Sequence, residues 1–277
     1  MAEAPREVAA KALEILRSLK GLRGKLIQGA ELIPAEIRPK PASGDPPKPL
    51  EFKKVRRILE DEWDDDVEEV LDEIDETPAA IASAGQVHRA VRARDGATVA
   101  VKVQAPGIAE AARSDLGAVT AVARLAAAVV PSLDATAVAG EARARILDEF
   151  DFEHEASLHR SIARAWRGHP FVHVATPDTR LSTQRVMVSE WIDGADLAAV
   201  LERPQAERDR VGELLARFYL GGPYRTGWVA ADPHPGNWRI LDDGRLAVFD
   251  FGAAGQLDRA RLDLLARSYT AAAARDA

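Results

Sequence analysis

The chain has 277 residues, 47% hydrophobic and 29% charged, which is enough apolar material for one large domain or two lobes and excludes a disordered or fibrous chain. With 37 Lys+Arg against 44 Asp+Glu the formal net charge is −7, so no global basic field exists to hold nucleic acid by its phosphates. The absence of cysteine excludes a disulfide framework, a thiolate zinc site, an iron–sulfur cluster and a cysteine nucleophile, and a reducing cytoplasm is the expected compartment.

Near the N-terminus Val8, Ala12, Ile15, Leu19, Leu22 and Leu26 recur at spacings of four and three, with Lys11, Arg17, Lys20, Arg23 and Lys25 elsewhere on the wheel. An amphipathic helix with a basic polar face is expected there, packed on its own domain, with an anionic membrane as the alternative support. No secretory signal is expected, because acidic and basic residues interrupt any apolar run. Residues 39–49, PKPASGDPPKP, hold five prolines and read as a linker or extended crossing loop.

The acidic run 60–76 places Val67, Val70, Leu71 and Ile74 at helical spacing, so a solvated helix is expected. Residues 85–92 and 97–104 form two β-rich runs joined at Asp95-Gly96, a hairpin signal. Residues 107–168 read as helix with a break at Pro131, and the Ala-rich stretch 117–131 carries Arg124, so no membrane span is expected. A strand over 185–192 and a hairpin over 239–249, turning at Asp242-Asp243-Gly244, complete the pattern. Strands come early and helices late, an α+β plan in two parts.

Chemistry concentrates at residues 232–237, Asp-Pro-His-Pro-Gly-Asn, followed by the second hairpin and by Asp250-Phe251-Gly252. Phosphoryl transfer needs a carboxylate near the acceptor oxygen, and an Asn and an Asp to hold magnesium. A kinase catalytic loop supplies them as Asp, four residues, Asn, then DFG. Asp232, Asn237 and Asp250 reproduce that order. Upstream, Val99-Ala100-Val101-Lys102 matches the strand whose lysine takes the α/β-phosphates of ATP. Residues 148–155, DEFDFEHE, offer Glu149, Asp151, Glu153 and Glu155 as its carboxylate partner. Asp151 and Glu155, four apart, are expected on one helical face. Glu190 and Ile192, after the strand Val186-Met187-Val188, resemble a hinge whose main chain binds adenine. The six histidines show no zinc-site spacing, and His234 between two prolines reads as a loop-shaping residue.

Together these motifs resemble the UbiB/ABC1 (AarF) family of atypical protein-kinase-like proteins. Residues 78–88, PAAIASAGQVH, are similar to its alanine-rich loop, and Glu149-Phe150-Asp151 to its E-x-D motif. Residues 232–237 match its catalytic loop. The resemblance implies a bilobal protein-kinase-like α+β fold. A helical extension and linker would occupy 1–49. A small β-rich N-lobe with a helical insertion would occupy 50–189, and a hinge and shortened, mainly helical C-lobe 190–277. It implies ATP and Mg2+ as ligands. Ala82, Ser83, Ala84, Gly85 and Lys102 would lie at the nucleotide, Glu155 would pair with Lys102, and Asn237 and Asp250 would hold the metal. Lys25, Gln28, Glu149 and Asp151 would form a cover over the site.

Two departures stand out. Ile27 replaces the glycine of the family's K-x-G-Q motif, and Ile81 adds bulk within the alanine-rich loop. Only 25 residues follow Gly252, fewer than the family's C-terminal helices need, and no A-P-E segment or long activation loop appears. The resemblance further implies ATPase activity in isoprenoid-quinone biosynthesis or lipid homeostasis. The setting would be cytoplasmic and peripheral at a membrane, with membrane lipid or quinone-pathway proteins as partners and no nucleic acid. A small-molecule phosphotransferase and a nucleotide-gated pseudokinase binding module are the alternatives.

Overall fold

A computed structural model describes residues 49–82, 84–129, 134–148 and 150–274, together with Ile15. The chain divides into two compact units, Met1–Glu153 with Arg180–Val188, and His154–Thr179 with Ser189–Ala277. Residues 154–179 therefore group with the second unit.

The first unit begins with α1 (Phe52–Trp63) and the single turn α2 (Val67–Val70), which leads into β1 (Leu71–Ile74). β2 (Ala80–Ile81), β3 (Gly85–Arg92) and β4 (Thr98–Gln104) follow, then α3 (Ile108–Val129) and α4 (Ala135–Asp148), which pack on each other. The sheet runs β1-β3-β4-β6, with β6 at Val186–Glu190 and β2 added beside β3. The β3–β4 pairing is antiparallel from Gly85↔Gln104 to Val91↔Thr98, as the Asp95-Gly96 turn predicts, and Gly96 takes φ +67°. Val99, Val101 and Val103 alternate inward and join Val55, Leu59, Val67 and Leu71 in the core.

Residues 71–74 are a strand rather than the end of a helix. Leu71 pairs with Arg92 and Ile74 with Ala90, and the register shifts between Leu71 and Glu73. That irregularity resets the alternation, so Leu71 and Ile74, three apart, both pack on the same core.

In the second unit α5 (Phe152–Trp166) leads to β5 (Val172–Val174), and β6 is followed by α6 (Leu197–Leu201) and α7 (Gln205–Ala216). A π-helical turn, Arg217–Gly221, continues into α8 (Gly222–Thr226). β7 (Trp228–Ala230) pairs with β10 (Ala254–Gln256), while β5, β9 (Leu246–Val248) and β8 (Trp238–Ile240) form a three-stranded sheet in the order β5-β9-β8. α9 (Arg259–Ala274) follows. Ile162, Trp166, Val174, Leu214, Phe218, Trp238, Val248 and Phe251 are the core of this unit. Its β8–β9 hairpin turns where the sequence places it, with Gly244 at φ +80°.

Candidate active site

In the second unit, the chain leaves β7 at Ala230, and Ala231 donates its N–H to the Ala253 carbonyl at 3.3 Å. This sets residues 231–237 beside the segment that holds Asp250. The loop is wound by short-range hydrogen bonds of the kind Asp and His side chains make in turns. His234 N donates to Asp232 Oδ1 at 3.3 Å, and Gly236 N donates to His234 Nδ1 at 3.0 Å. His234 therefore shapes the loop through its ring.

Asn237 closes the loop: its Nδ2 donates to Asp232 Oδ2 at 3.1 Å and to the Asp232 carbonyl at 3.3 Å. Its own carbonyl accepts from Phe249 N at 3.2 Å, which ties it to the residue before Asp250. Asp250 Oδ1 accepts from Gly252 N at 3.1 Å, and Phe251 is buried against the rings of His159 and Phe218. Asp232, Asn237 and Asp250 are thus brought together by backbone ties, as their spacing predicts.

Asn237 and Asp250 bring an amide oxygen and a carboxylate, both hard oxygen donors, to this loop. Among the described residues no cluster of three or more His, Cys, Asp or Glu suits a metal ion. One carboxylate and one amide oxygen match a cation that fills its shell with substrate phosphates and water, which is how Mg2+ is held. The donor set fits that ion.

Glu155, in the first turn of α5, is 3% exposed. Its carboxylate lies 3.5 Å from the point where a Cβ on Gly252 would stand. Glu190 uses its carboxylate locally, bonding His173 Nε2 at 3.0 Å and accepting from Thr176 N at 3.1 Å, while its own N–H goes to the Thr176 carbonyl. Ile192 lies just beyond β6, in the second unit.

Tyr219 was not singled out by the sequence. It sits in the π turn, its hydroxyl is buried, and that hydroxyl has no hydrogen-bond partner among the described residues. Burial raises its pKa first, and the charges of Asp232 and Asp250 raise it further. The phenol is therefore held protonated, a donor within the field of both carboxylates. No periodicity marks the position; only the π turn does, a distortion frequent at functional sites.

In the first unit Lys102 stands on β4 opposite Val87, with Nζ 4.7 Å over the centroid of the Phe152 ring. Ala82 N donates to the Gly85 carbonyl at 2.9 Å, a tight turn between β2 and β3, with Ala84 buried. A Cβ on Gly85 would stand 1.9 Å from the Val103 carbonyl oxygen, so only glycine permits this approach. Ile81 is 42% exposed on β2.

The Gln86 and His88 that follow are interior ties. Gln86 Oε1 accepts from Leu50 N at 2.7 Å, and its Nε2 meets His88 Nε2 at 2.8 Å. His88 Nδ1 bonds the Asp75 carbonyl at 2.6 Å. A carbonyl accepts only, so Nδ1 carries the proton and Nε2 accepts from Gln86.

Residues 148–155 are not one helix. α4 ends at Asp148, and Asp151 precedes α5, so Asp151 and Glu155 do not share a helical face. The break is held by tertiary bonds: Gln104 Nε2 donates to the Phe150 carbonyl at 3.0 Å and Phe152 N to the Gln184 carbonyl at 3.2 Å. Lys25, Ile27, Gln28, Ser83 and Glu149 lie outside the described residues. No helix among the described residues is long and apolar enough to cross a membrane.

Comparison with known proteins agrees with this geometry. A family model for the ABC1 atypical kinase-like domain matches residues 45–277. An uncharacterized protein of Synechocystis is 33% identical over 231 residues, 78% of this chain and 56% of its own length. The mitochondrial atypical kinase coq-8 of Caenorhabditis elegans is 30% identical over 220 residues, 78% of this chain and 29% of its own. Among solved structures, Mycobacterium tuberculosis Rv3197 in complex with erythromycin superposes with a TM-score of 0.67 at 32% identity, covering 90% of this chain and 60% of that one. The chain thus spans about half, or less, of the curated relatives it matches. Its kinase-like mixed α/β fold and the match over residues 45–277 place it in the ABC1 atypical kinase-like family.

Proposed function

We propose that the chain binds ATP with Mg2+ and transfers the γ-phosphoryl group, to water or to a small acceptor. The observation that carries this reading is the set of Asp232, Asn237 and Asp250, in which the Asn237 amide fixes the Asp232 carboxylate and the Asn237 carbonyl is tied to Phe249, the residue before Asp250. Asp232 orients the nucleophilic hydroxyl and receives its proton as the oxygen–phosphorus bond forms and the bond to the β–γ bridging oxygen breaks, releasing ADP. Asn237 and Asp250 hold the metal ion, which neutralises charge on the phosphate oxygens when bound. Tyr219, kept protonated, supplies a neutral donor beside two carboxylates, where a third anion would repel the phosphates.

The remaining roles rest on the family resemblance. Lys102 takes the α/β-phosphates, Glu155 is its carboxylate, Ala82, Ser83, Ala84 and Gly85 approach the phosphates, and the main chain of Glu190 and Ile192 takes adenine. Lys25, Gln28, Glu149 and Asp151 form the cover. The setting proposed on the same ground is isoprenoid-quinone biosynthesis or lipid homeostasis at a membrane surface, with lipid or quinone-pathway proteins as partners.

The test is thermal stability of the protein with ATP, with and without Mg2+, followed by phosphate release in the same samples. Wild type is expected to gain a Mg2+-dependent rise in Tm, since a ligand of the native state stabilises it by RT ln(1 + [L]/Kd). Lys102→Ala should lose the rise, and Asp232→Asn should keep it without turnover. Binding in wild type without any phosphate release would identify a nucleotide-gated binding module instead. The absence of any nucleotide response would refute the reading.

A further inference from the structure

The second unit carries a basic cavity that the phosphotransfer reading does not use. Its volume is about 140 Å³, roughly ten times what one water needs, so it admits a polyatomic group. Arg160, Arg164 and Arg167 of α5 and its end line it, joined by His173 of β5 and Arg245 of the β8–β9 turn. Every lining residue belongs to this unit.

The three α5 arginines stand at i, i+4 and i+7, one helical face. Arg164 and Arg167 form no ion pair among the described residues, and Arg160 reaches only the Thr179 hydroxyl, at 3.4 Å. Other arginines do pair: Arg56, Arg92, Arg185, Arg217 and Arg259 each meet a carboxylate. At the cavity only the rim meets carboxylates, His173 hydrogen-bonding Glu190 and Arg245 pairing with Asp243. In a chain of net charge −7, like charges gathered without counter-charge around a concavity describe a receptor for an anion. Guanidinium groups suit a tetrahedral oxyanion, which they bind with paired N–H donors. Val172, Val174 and Pro177 give the cavity an apolar wall, so an ester carbon can follow the phosphate inward.

We infer that this cavity is a binding site for a phosphate monoester, distinct from the candidate phosphotransfer site and formed chiefly by Arg160, Arg164 and Arg167. The ester is either a free phosphorylated small molecule or a phosphate-bearing lipid headgroup. The site also touches the hinge: Thr176 and His173, both in its lining, hydrogen-bond Glu190.

The experiment uses the full chain in EDTA, so that no metal recruits phosphate elsewhere. One arm titrates glycerol 3-phosphate and reads Tm and calorimetric heat. The other cosediments the protein with phosphatidylcholine vesicles with and without phosphatidic acid. Each is repeated with Arg164→Ala/Arg167→Ala, with Arg164→Lys/Arg167→Lys, and with Arg259→Ala/Arg261→Ala, which removes the same charge from α9. The expected result is binding in at least one arm, weakened tenfold or more by the alanine pair, partly restored by the lysine pair, and unchanged by the α9 pair. Binding of glycerol 3-phosphate identifies a free ester as the ligand; binding of phosphatidic acid vesicles alone identifies the headgroup. Binding in neither arm, or equal loss in the α9 pair, overturns the proposal.

Discussion

Asn237 donates its side-chain amide to the carboxylate of Asp232 at 3.1 Å, so the residue assigned to the metal also fixes the residue assigned to the nucleophile. Replacing it disturbs both. Asn237→Ala is expected to lower ATP turnover by about 100-fold or more, the usual effect of removing one preorganised donor. Asn237→Asp should do at least as much damage, because it sets a second carboxylate against Asp232. Phosphate release under saturating ATP and Mg2+ checks both, and wild-type rates in either variant would remove Asn237 from the site.

Gly85 is a steric test of the first unit. A methyl group there would stand 1.9 Å from a backbone carbonyl of the paired strand, and backbone cannot swing aside as a side chain can. Gly85→Ala is expected to cost about 3 kcal/mol or more. Denaturant titration of the variant reads this directly; a cost under 1 kcal/mol would show that β3 and β4 separate easily.

Tyr219→Phe should separate stability from function. The variant deletes a buried hydroxyl that has no partner among the described residues, so stability should hold or rise by up to about 1 kcal/mol. Turnover should nevertheless fall, because the protonated donor beside Asp232 and Asp250 is lost. Unchanged turnover would assign the phenol to packing alone.

The first unit should weaken in mild acid. Burial lowers the pKa of His88 below its ordinary 6.5, with the Asp75 carbonyl opposing the shift more weakly. Below pH 6.5 the unfolded chain takes up a proton that the folded one refuses. This term therefore makes stability fall as pH drops through 6.5, until the folded-state pKa is passed. Protonation would also set an N–H on Nε2 against the Gln86 amide. Urea midpoints at pH 5 and 7 test this: the drop for wild type should shrink in His88→Gln.

What the sequence revealed tracks how local each signal is. The Asp95-Gly96 and Asp243-Gly244 turns, the valines of β4 and the loop from Asp232 to Asn237 are set by neighbours within six residues, and the structure forms them as read. Leu71 and Ile74 look helical because an irregular strand mimics a spacing of three, and the pairing with β3 that decides the matter lies some twenty residues away. The break before α5 depends on Gln104 and Gln184, beyond any local window. Gln86 and His88 were legible as a motif but not as ties to Leu50 and Asp75, since those partners lie 36 and 13 residues off.

The π turn at Arg217–Gly221 has a consequence for comparing this chain with its relatives. Such a turn holds one residue more than the α-helix around it, so it behaves as a single insertion. An alignment that carries no gap there will pair Tyr219 with the wrong neighbour in a relative whose helix is regular. Deleting one residue from the turn would restore the α-helical register and rotate the phenol by about 100°, away from Asp232 and Asp250.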